Sequence, residues 1–227
     1  MNVELKIVET EDGSHSLYSK ELNESYHSKF GAINESKHVF INAGLNHLSN
    51  TLKEINLLEI GFGTGLNAFL TYLKCNKNKV KVNYYSIEPY PLSSEIYRQL
   101  NYSEILGKKG PRHLFISLHK FEWNRMVNLN EYFSLTKMKE KLEGTKLRLD
   151  FFHLVYFDAF SPDVHPELWT QGIFEKIYSS LKTDSIFVTY SAKGAVRRNL
   201  QEAGFEVERI PGPKGKREML RAFKTIF

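Results

Sequence analysis

Residues 55–65 read INLLEIGFGTG, a short apolar run that passes directly into a glycine-rich turn. The run at 55–60 has the length and composition of a buried strand, and the pattern after the glycines predicts a helix from about Leu66 to Lys74. Glycines in such a turn let the backbone approach a ligand closely, and the N–H groups at the helix start can hold an anionic group. The stretch predicts the first βα unit of a ligand-binding α/β sheet, although a tight turn without a ligand also requires glycine.

Short apolar runs alternate with helical patterns along the rest of the chain, as in parallel βαβ units. The strands are predicted at 55–60, 80–87, 133–138, 152–157, 186–190, 205–210 and 218–224. Further helices are predicted at 92–100, 111–124, 166–181 and 194–203. Because only the turn PGPKGK separates the last two strands, they should pair antiparallel. We therefore expect an α/β fold with an open sheet of seven strands, mostly parallel, with the last strand antiparallel at its edge.

The first fifty residues do not follow this rhythm. A strand is predicted near Val3–Val8 and a helix near Lys37–Leu48, separated by a polar stretch rich in Ser, Asn and His. We interpret residues 1–50 as an N-terminal extension packed on a core domain of residues 51–227.

Composition excludes several classes of protein. With 41% hydrophobic and 25% charged residues in a chain of 227, wholesale disorder is excluded. A lone cysteine, Cys75, excludes an internal disulfide framework and a cysteine-rich zinc site. The start MNVELKIVETEDG carries acids where a signal peptide needs basic and then apolar residues, and the uncharged run at 60–73 is too short to span a bilayer. We expect a cytoplasmic protein with neither a membrane nor a metal partner.

The net charge of +5 is unevenly distributed. Residues 191–227 hold nine Lys or Arg against four Glu, so the remainder of the chain is neutral. This segment could form a patch for phosphates, or simply a solvated basic surface.

Two further carboxylates follow predicted strands. Glu88 ends the second strand about 25 residues after the glycines, where a carboxylate can accept hydrogen bonds from both hydroxyls of a ribose. Asp158 leaves the fourth strand in the run DAFSP (158–162), at the carboxyl edge where open α/β proteins bind ligands. A turn-forming role for Asp158 before a proline would produce the same pattern.

The glycine spacing narrows the ligand class. Gly61, Gly63 and Gly65 after Glu59 depart from the G-x-G-x-x-G of dinucleotide folds. They resemble the first motif of class I S-adenosylmethionine-dependent methyltransferases. The DAFSP run is similar to the fourth motif of that superfamily, in which an acid, an aromatic residue and a proline line the transfer site.

Five longer runs resemble one family within this superfamily. They are GFGTGLN (61–67), SIEPYPLS (86–93), DAFSPDVHPELWT (158–170), YSAKGAVRRNLQEAGFEVERIPGPKGKREMLRA (190–222) and YHSKFGAINESKHVF (26–40). Together they resemble the methyltransferase domain of the tRNA 5-methylaminomethyl-2-thiouridine biosynthesis protein MnmC. That domain is fused to a flavin-dependent oxidase in many bacteria, and no segment here corresponds to an oxidase, so the resemblance is to the free-standing form.

The resemblance implies S-adenosyl-L-methionine as cofactor and the tRNA anticodon stem-loop as partner. The implied reaction converts 5-aminomethyl(-2-thio)uridine at wobble position 34 to its 5-methylaminomethyl form, with a separate enzyme supplying the 5-aminomethyl intermediate. Asp158 and Phe160 would be catalytic, with Asp158 accepting a hydrogen bond from the amine or orienting it. Glu88 would contact the ribose and Glu140 the adenine.

The resemblance also implies two residue sets. The cofactor-binding set is Tyr26, Glu59, Gly61, Phe62, Gly63, Thr64, Gly65, Asn67, Glu88, Glu140 and Asp158. The set for substrate or tRNA is Trp169, Lys193, Arg197, Arg198, Lys214, Lys216 and Arg217. Trp169 lies on a predicted helix, where a tryptophan is more often a core residue than a substrate contact, and adjacent Arg197 and Arg198 need not both face RNA.

Three other functions fit parts of the pattern. A polyamine-synthase-like transferase of small molecules would need further acids near the cofactor's amino end and no basic C-terminus. A non-catalytic nucleotide- or RNA-binding protein could keep the fold and bind the cofactor without turnover. An NAD oxidoreductase is disfavoured by the glycine spacing.

Overall fold

The strands of the computed structural model, which describes residues 4–107 and 110–225, include all seven of the predicted ones. In chain order they are β1 (Leu5–Glu9), β2 (His15–Ser19), β3 (Glu24–Ser25), β4 (Glu54–Ile60), β5 (Lys81–Ile87), β6 (Met126–Asn130), β7 (Phe133–Met138), β8 (Phe152–Phe157), β9 (Leu181–Thr189), β10 (Glu206–Pro211) and β11 (Glu218–Lys224). Strands β1–β3 form a small antiparallel sheet, and the others form one large sheet.

The helices flank the large sheet. They are α1 (Ala32–Ser36), α2 (Asn46–Ser49), α3 (Leu66–Asn78), α4 (Ser94–Tyr97), α5 (Tyr102–Leu106), α6 (Arg112–Lys120), α7 (Gln171–Ser180) and α8 (Gly194–Glu202). A π-helical segment, Lys37–Leu45, joins α1 to α2, and a 3₁₀ turn, Pro166–Trp169, precedes α7. The helix predicted at 166–181 is divided because Thr170 is extended. The helix predicted at 92–100 is reduced to the single turn of α4.

The large sheet has the order β10-β11-β9-β8-β4-β5-β7-β6. Strands β9, β8, β4, β5 and β7 are mutually parallel, which confirms the predicted α/β fold. The sheet has eight strands rather than seven, because β6 adds an antiparallel edge strand beside β7. The predicted antiparallel strand, β11, lies between β9 and β10 rather than at the edge itself.

The central position of β4 locates the ligand-binding edge. Its neighbours are β5 on one side and β8 on the other, so the chain leaves β4 at the point where the strand order reverses. The glycine turn, the end of β5 and the loop after β8 therefore meet at one carboxyl edge of the sheet.

The N-terminal residues contribute directly to the core. The predicted helix near 37–48 begins earlier, at Ala32, and buries Ile33 in α1 and Phe40 in the π-helical segment. The predicted strand near 3–8 is observed as β1, and residue 3 lies outside the described part of the chain. Along the described residues, no helix combines the length and the apolar character that crossing a membrane requires.

Candidate functional site

A cavity of about 630 Å³ opens at the carboxyl ends of β4, β5 and β8. Its volume lies in the usual range for small-molecule and cofactor sites, about 300–1,000 Å³. The walls include the glycine turn, the end of β5, the loop after β8, and the segment from Ser19 to Ser28, together with further residues described below. The site predicted from three separated motifs is thus one continuous space, to which the N-terminal segment adds a wall.

The glycine turn brings backbone against the cavity. Gly61 has φ 92°, and a Cβ there would lie 2.7 Å from the carbonyl oxygen of Asp158. Gly63 has φ 47°, and a Cβ there would lie 3.3 Å from the Tyr26 ring. Because both conformations and both contacts disfavour a side chain, the turn is a bare backbone cradle. Asn67, from the first turn of α3, also lines the cavity.

The other residues of the turn face partly away. Phe62 and Thr64 border the cavity, but these residues are only 3% and 2% exposed. The Phe62 ring packs edge-on against His119, with centroids 5.3 Å apart. Gly65 immediately precedes α3, beside His119, and does not line the cavity.

Glu88 closes the cradle from β5. Its two carboxylate oxygens accept hydrogen bonds from the Gly63 N–H at 3.0 Å and the Tyr90 N–H at 2.8 Å. Burial raises the pKa of Glu88 above its usual value, while the two backbone donors oppose that rise. Each oxygen keeps a further lone pair, so Glu88 can also accept hydrogen bonds from hydroxyls of a ligand in the cavity.

Glu59 occupies a different environment from Glu88. It is fully buried in β4, accepts a hydrogen bond from the Ser86 hydroxyl at 2.7 Å, and does not line the cavity. Its other oxygen has no hydrogen-bond partner among the described residues. Burial raises the pKa of Glu59 to about 8. The acid predicted to bind the cofactor therefore lies beneath the turn, protonated near neutrality.

Asp158 is held at the cavity wall by Asn67. The Asn67 amide donates a hydrogen bond to Asp158 Oδ2 at 2.8 Å. Burial, and then the nearby Glu35 carboxylate, raises the pKa of Asp158 to about 7, opposed by the Asn67 hydrogen bond and the charge of Lys216. A group that titrates near neutrality can both take and release a proton at the working pH.

Aromatic side chains form the wall beside Asp158. The rings of Tyr26 and Phe160 meet edge-on with centroids 4.9 Å apart, and both line the cavity. Trp169 does not line it: the residue is 3% exposed, and its indole N–H donates to the Phe160 carbonyl at 2.8 Å. Trp169 is therefore a core residue that supports the loop carrying Phe160.

The segment after β7 also differs from its predicted role. Glu140 lies in a separate groove with Tyr85 and Lys146. Its successors Lys141–Glu143 line the main cavity instead, and among them Leu142 is buried. Leu142 therefore contributes an apolar side chain to the wall on this side.

The six predicted basic residues fall into three groups. Lys193, Lys214 and Lys216 form ion pairs, with Asp163, with Glu11 at 2.8 Å and with Glu35 at 2.9 Å respectively. Arg198 and Arg217 are exposed and form no ion pair within the described part of the chain. Arg197 is half-buried on α8. Only Lys216 of the set lines the cavity.

Sequence reasoning missed two residues that line the cavity beside Asp158. Glu35 comes from α1, and Tyr190 follows β9 and donates its hydroxyl proton to the Ala159 carbonyl at 2.9 Å. Both lie in runs that carry the resemblance, residues 26–40 and 190–222, which is the only signal in the sequence that could have indicated them.

Comparisons with known proteins agree with this geometry. A family model described as S-adenosyl-L-methionine-dependent methyltransferase matches residues 113–225. The tRNA 5-methylaminomethyl-2-thiouridine biosynthesis bifunctional protein MnmC of Nitrosospira multiformis is 29% identical over 216 residues, which cover 90% of this chain and 35% of that protein. MnmC of Campylobacter hominis is 30% identical over 213 residues, covering 91% of this chain and 31% of that protein. The chain thus spans about a third of the length of these relatives.

A solved structure is similar over nearly the whole chain. The crystal structure of MnmC2 from Aquifex aeolicus superposes with a TM-score of 0.79 at 27% identity, covering 99% of this chain and 72% of that one. The likeness includes the N-terminal residues, which the family model does not cover.

Proposed function

We propose that this chain, which belongs to the family of S-adenosyl-L-methionine-dependent methyltransferases, methylates the primary amine of 5-aminomethyl(-2-thio)uridine at wobble position 34 of tRNA. One observation carries the proposal: the glycine cradle, Glu88 and an Asp158 that titrates near neutrality line one cavity. The relatives named for tRNA 5-methylaminomethyl-2-thiouridine biosynthesis support this choice of substrate. The product is the 5-methylaminomethyl nucleoside, formed in the cytoplasm on an intermediate that a separate enzyme supplies.

The residues of the cavity fit S-adenosyl-L-methionine. When bound, this cofactor supplies a methyl group carried on a positively charged sulfur. Gly61 and Gly63 would cradle it, since side chains at these positions would strike Asp158 and Tyr26. Glu88 would accept hydrogen bonds from the ribose hydroxyls, and the apolar wall at Leu142 would pack against the base.

Asp158 prepares the amine for attack. A primary alkylammonium has a pKa of roughly 10 and lacks the lone pair that attack requires, so it must lose a proton. Asn67 binds Oδ2 of Asp158, which leaves Oδ1 to accept a hydrogen bond from the ammonium and then its proton. Burial in the cavity disfavours the charged amine, whereas the neighbouring carboxylates favour it, so the pKa of the bound amine depends on the balance of the two effects. Tyr26 and Phe160 exclude water from the reacting groups.

Exposed basic side chains near this edge would contact the anticodon stem. Arg198 and Arg217 are available to phosphates without breaking an ion pair that the structure shows. The same positive charge is not required by a polyamine-synthase-like enzyme, whose substrates are themselves cations.

The experiment is methyl transfer from labelled S-adenosyl-L-methionine to tRNA that carries 5-aminomethyluridine, with unmodified tRNA and a polyamine as alternative acceptors. We expect label only on the aminomethylated tRNA. Asp158→Ala should abolish transfer while cofactor affinity changes by less than about tenfold, or about 1.4 kcal/mol. Absence of label on the aminomethylated tRNA refutes the proposal, and label on the polyamine instead favours the small-molecule transferase.

A further inference from the structure

Lys216 places a primary alkylammonium inside the cavity. Its Nζ lies 2.9 Å from Glu35 Oε1 and 4.0 Å from the centroid of the Tyr190 ring. The lysine belongs to the loop between β10 and β11, where its neighbours Lys214 and Arg217 are exposed. One lysine of a surface loop thus turns inward, into a site built by residues from other parts of the chain.

The groups that receive Lys216 are fixed in place. Glu35 has a side chain only 9% exposed, and its Oε2 accepts a hydrogen bond from the Ser28 N–H at 2.7 Å. The Tyr190 hydroxyl is bound to the Ala159 carbonyl, directly after Asp158. A buried carboxylate beside an aromatic face is a pair of groups suited to bind an alkylammonium. The Lys216 side chain is 33% exposed, and its flexible stem can withdraw without disturbing this pair.

Charge balance favours a single cation at this position. Glu35 and Asp158 face the same cavity, and the Lys216 ammonium acts electrostatically on Asp158 as well as on Glu35. Removing the ammonium with no replacement would leave a buried carboxylate unpaired, which is strongly unfavourable. Exchange of Lys216 for another primary ammonium keeps the charge constant.

We propose that Glu35 and the face of Tyr190 form the amine-recognition subsite, and that Lys216 occupies this subsite until the substrate's aminomethyl group displaces it. The inference rests on the proposed function, because it takes a primary alkylammonium as the substrate group. When displaced, the Lys216 side chain turns outward beside Lys214 and Arg217 of the same loop, where it adds one positive charge to the surface offered to phosphates. An unmodified uridine has no ammonium to exchange, so Lys216 also acts against the wrong substrate.

Binding of n-butylammonium tests the subsite without turnover. Removal of Lys216 vacates the subsite, so we expect Lys216→Ala to bind n-butylammonium at least about tenfold more tightly than the wild type, measured by NMR titration. Lys216→Ala/Glu35→Gln should lose this gain, and so should Lys216→Ala/Tyr190→Leu, which keeps the test available if the Glu35 variant does not fold. Lys214→Ala, which removes a charge from the same loop but not from the cavity, should bind as the wild type does. Equal affinity in the wild type and Lys216→Ala overturns the inference.

Turnover of the free nucleoside 5-aminomethyluridine, which has no phosphates, gives a second measurement. KM should fall in Lys216→Ala, because a competitor is removed, and rise in Glu35→Gln, because the carboxylate that binds the amine is lost. If tRNA is methylated but the variants bind n-butylammonium with equal affinity, the subsite is refuted and the proposed function stands. If the variants differ in n-butylammonium affinity as expected but neither tRNA nor nucleoside is methylated, the proposed function is refuted and the alkylammonium site stands.

Discussion

Replacing Glu59 by Gln should remove the contribution of this buried carboxyl group to the pH dependence of the chain's stability. Glu59 is fully buried, and burial raises its pKa from 4.5 to about 8. Below the lower value the carboxyl group is protonated in both the folded and unfolded chains, so the shift contributes nothing. Between the two values the unfolded chain releases the proton while the folded chain retains it, so the free energy of unfolding falls as pH rises. Above about pH 8 this penalty is constant.

The size of the effect follows from the two pKa values. A difference of this size corresponds to about 5 kcal/mol, of which about 3 to 4 kcal/mol accumulates between about pH 5 and pH 8. Gln is uncharged at every pH in this range and keeps an oxygen to accept the Ser86 hydroxyl's hydrogen bond. The variant should therefore gain stability relative to the wild type as pH rises. The total free energy of unfolding of a domain is about 5–15 kcal/mol, so this gain would be a substantial fraction of it.

Urea unfolding followed by circular dichroism at several pH values between about 5 and 8 measures this difference. Glu54→Gln is the matched control, because Glu54 begins the same strand but its pKa is lowered by hydrogen bonds from Lys81 and Asn83. Because the lowered pKa of Glu54 lies below this pH range, that variant should change stability only weakly and by nearly the same amount at every pH measured. Parallel stability profiles for the wild type and Glu59→Gln would show that the buried acid is not protonated in the folded chain.

Three further predictions concern the cofactor, the core and RNA. Glu88→Gln should weaken binding of S-adenosyl-L-methionine about tenfold or more by calorimetry, while Glu59→Gln stays within about threefold, and equal losses would contradict the separation of their roles. Lys137 is 1% exposed, and burial lowers its pKa from 10.5 to about 8. Between these two pH values the unfolded chain keeps the proton that the folded chain has lost, so the wild type should gain stability as pH rises. Thermal melts should show no such gain in Lys137→Met. Replacing Arg198 and Arg217 with Gln should reduce the slope of log tRNA affinity against log salt by about 1 per lost phosphate contact, and an unchanged slope would assign both to a solvated surface.

The strands predicted most accurately from the sequence are those buried on both faces of the sheet. Strand Phe152–Phe157 matches its predicted bounds because five of its six residues are buried, which gives a nearly continuous apolar run. Strand Phe133–Met138 matches because apolar Phe133 and Leu135 alternate with polar residues. Strand Met126–Asn130 was missed because it lies at the sheet edge, where its residues alternate between exposed and half-buried. The glycine turn and Asp158 were predicted to meet because parallel strands end at a common edge.

The amine subsite lay beyond sequence reasoning for a physical reason. Glu35 and Lys216 are far apart in the chain, and no periodicity of either segment brings them together. Their contact depends on tertiary packing of α1 and the β10–β11 loop around the same cavity. The sequence shows that residue 216 is a lysine in a basic segment, but only the fold shows that its ammonium contacts a buried carboxylate.

This packing changes what the C-terminal charge excess means. Lys214 and Lys216 bind Glu11 and Glu35, both from the N-terminal residues, so part of the basic segment attaches the β10–β11 loop to the wall of the cavity. Exposed ion pairs of this kind contribute little stability, about 0–1 kcal/mol, and the Lys214 pair can open readily to a phosphate. The Lys216 pair is more buried, and its opening requires a replacement cation. Substrate RNA would therefore be held first by exposed arginines, and its aminomethyl group would then determine whether the last lysine is released.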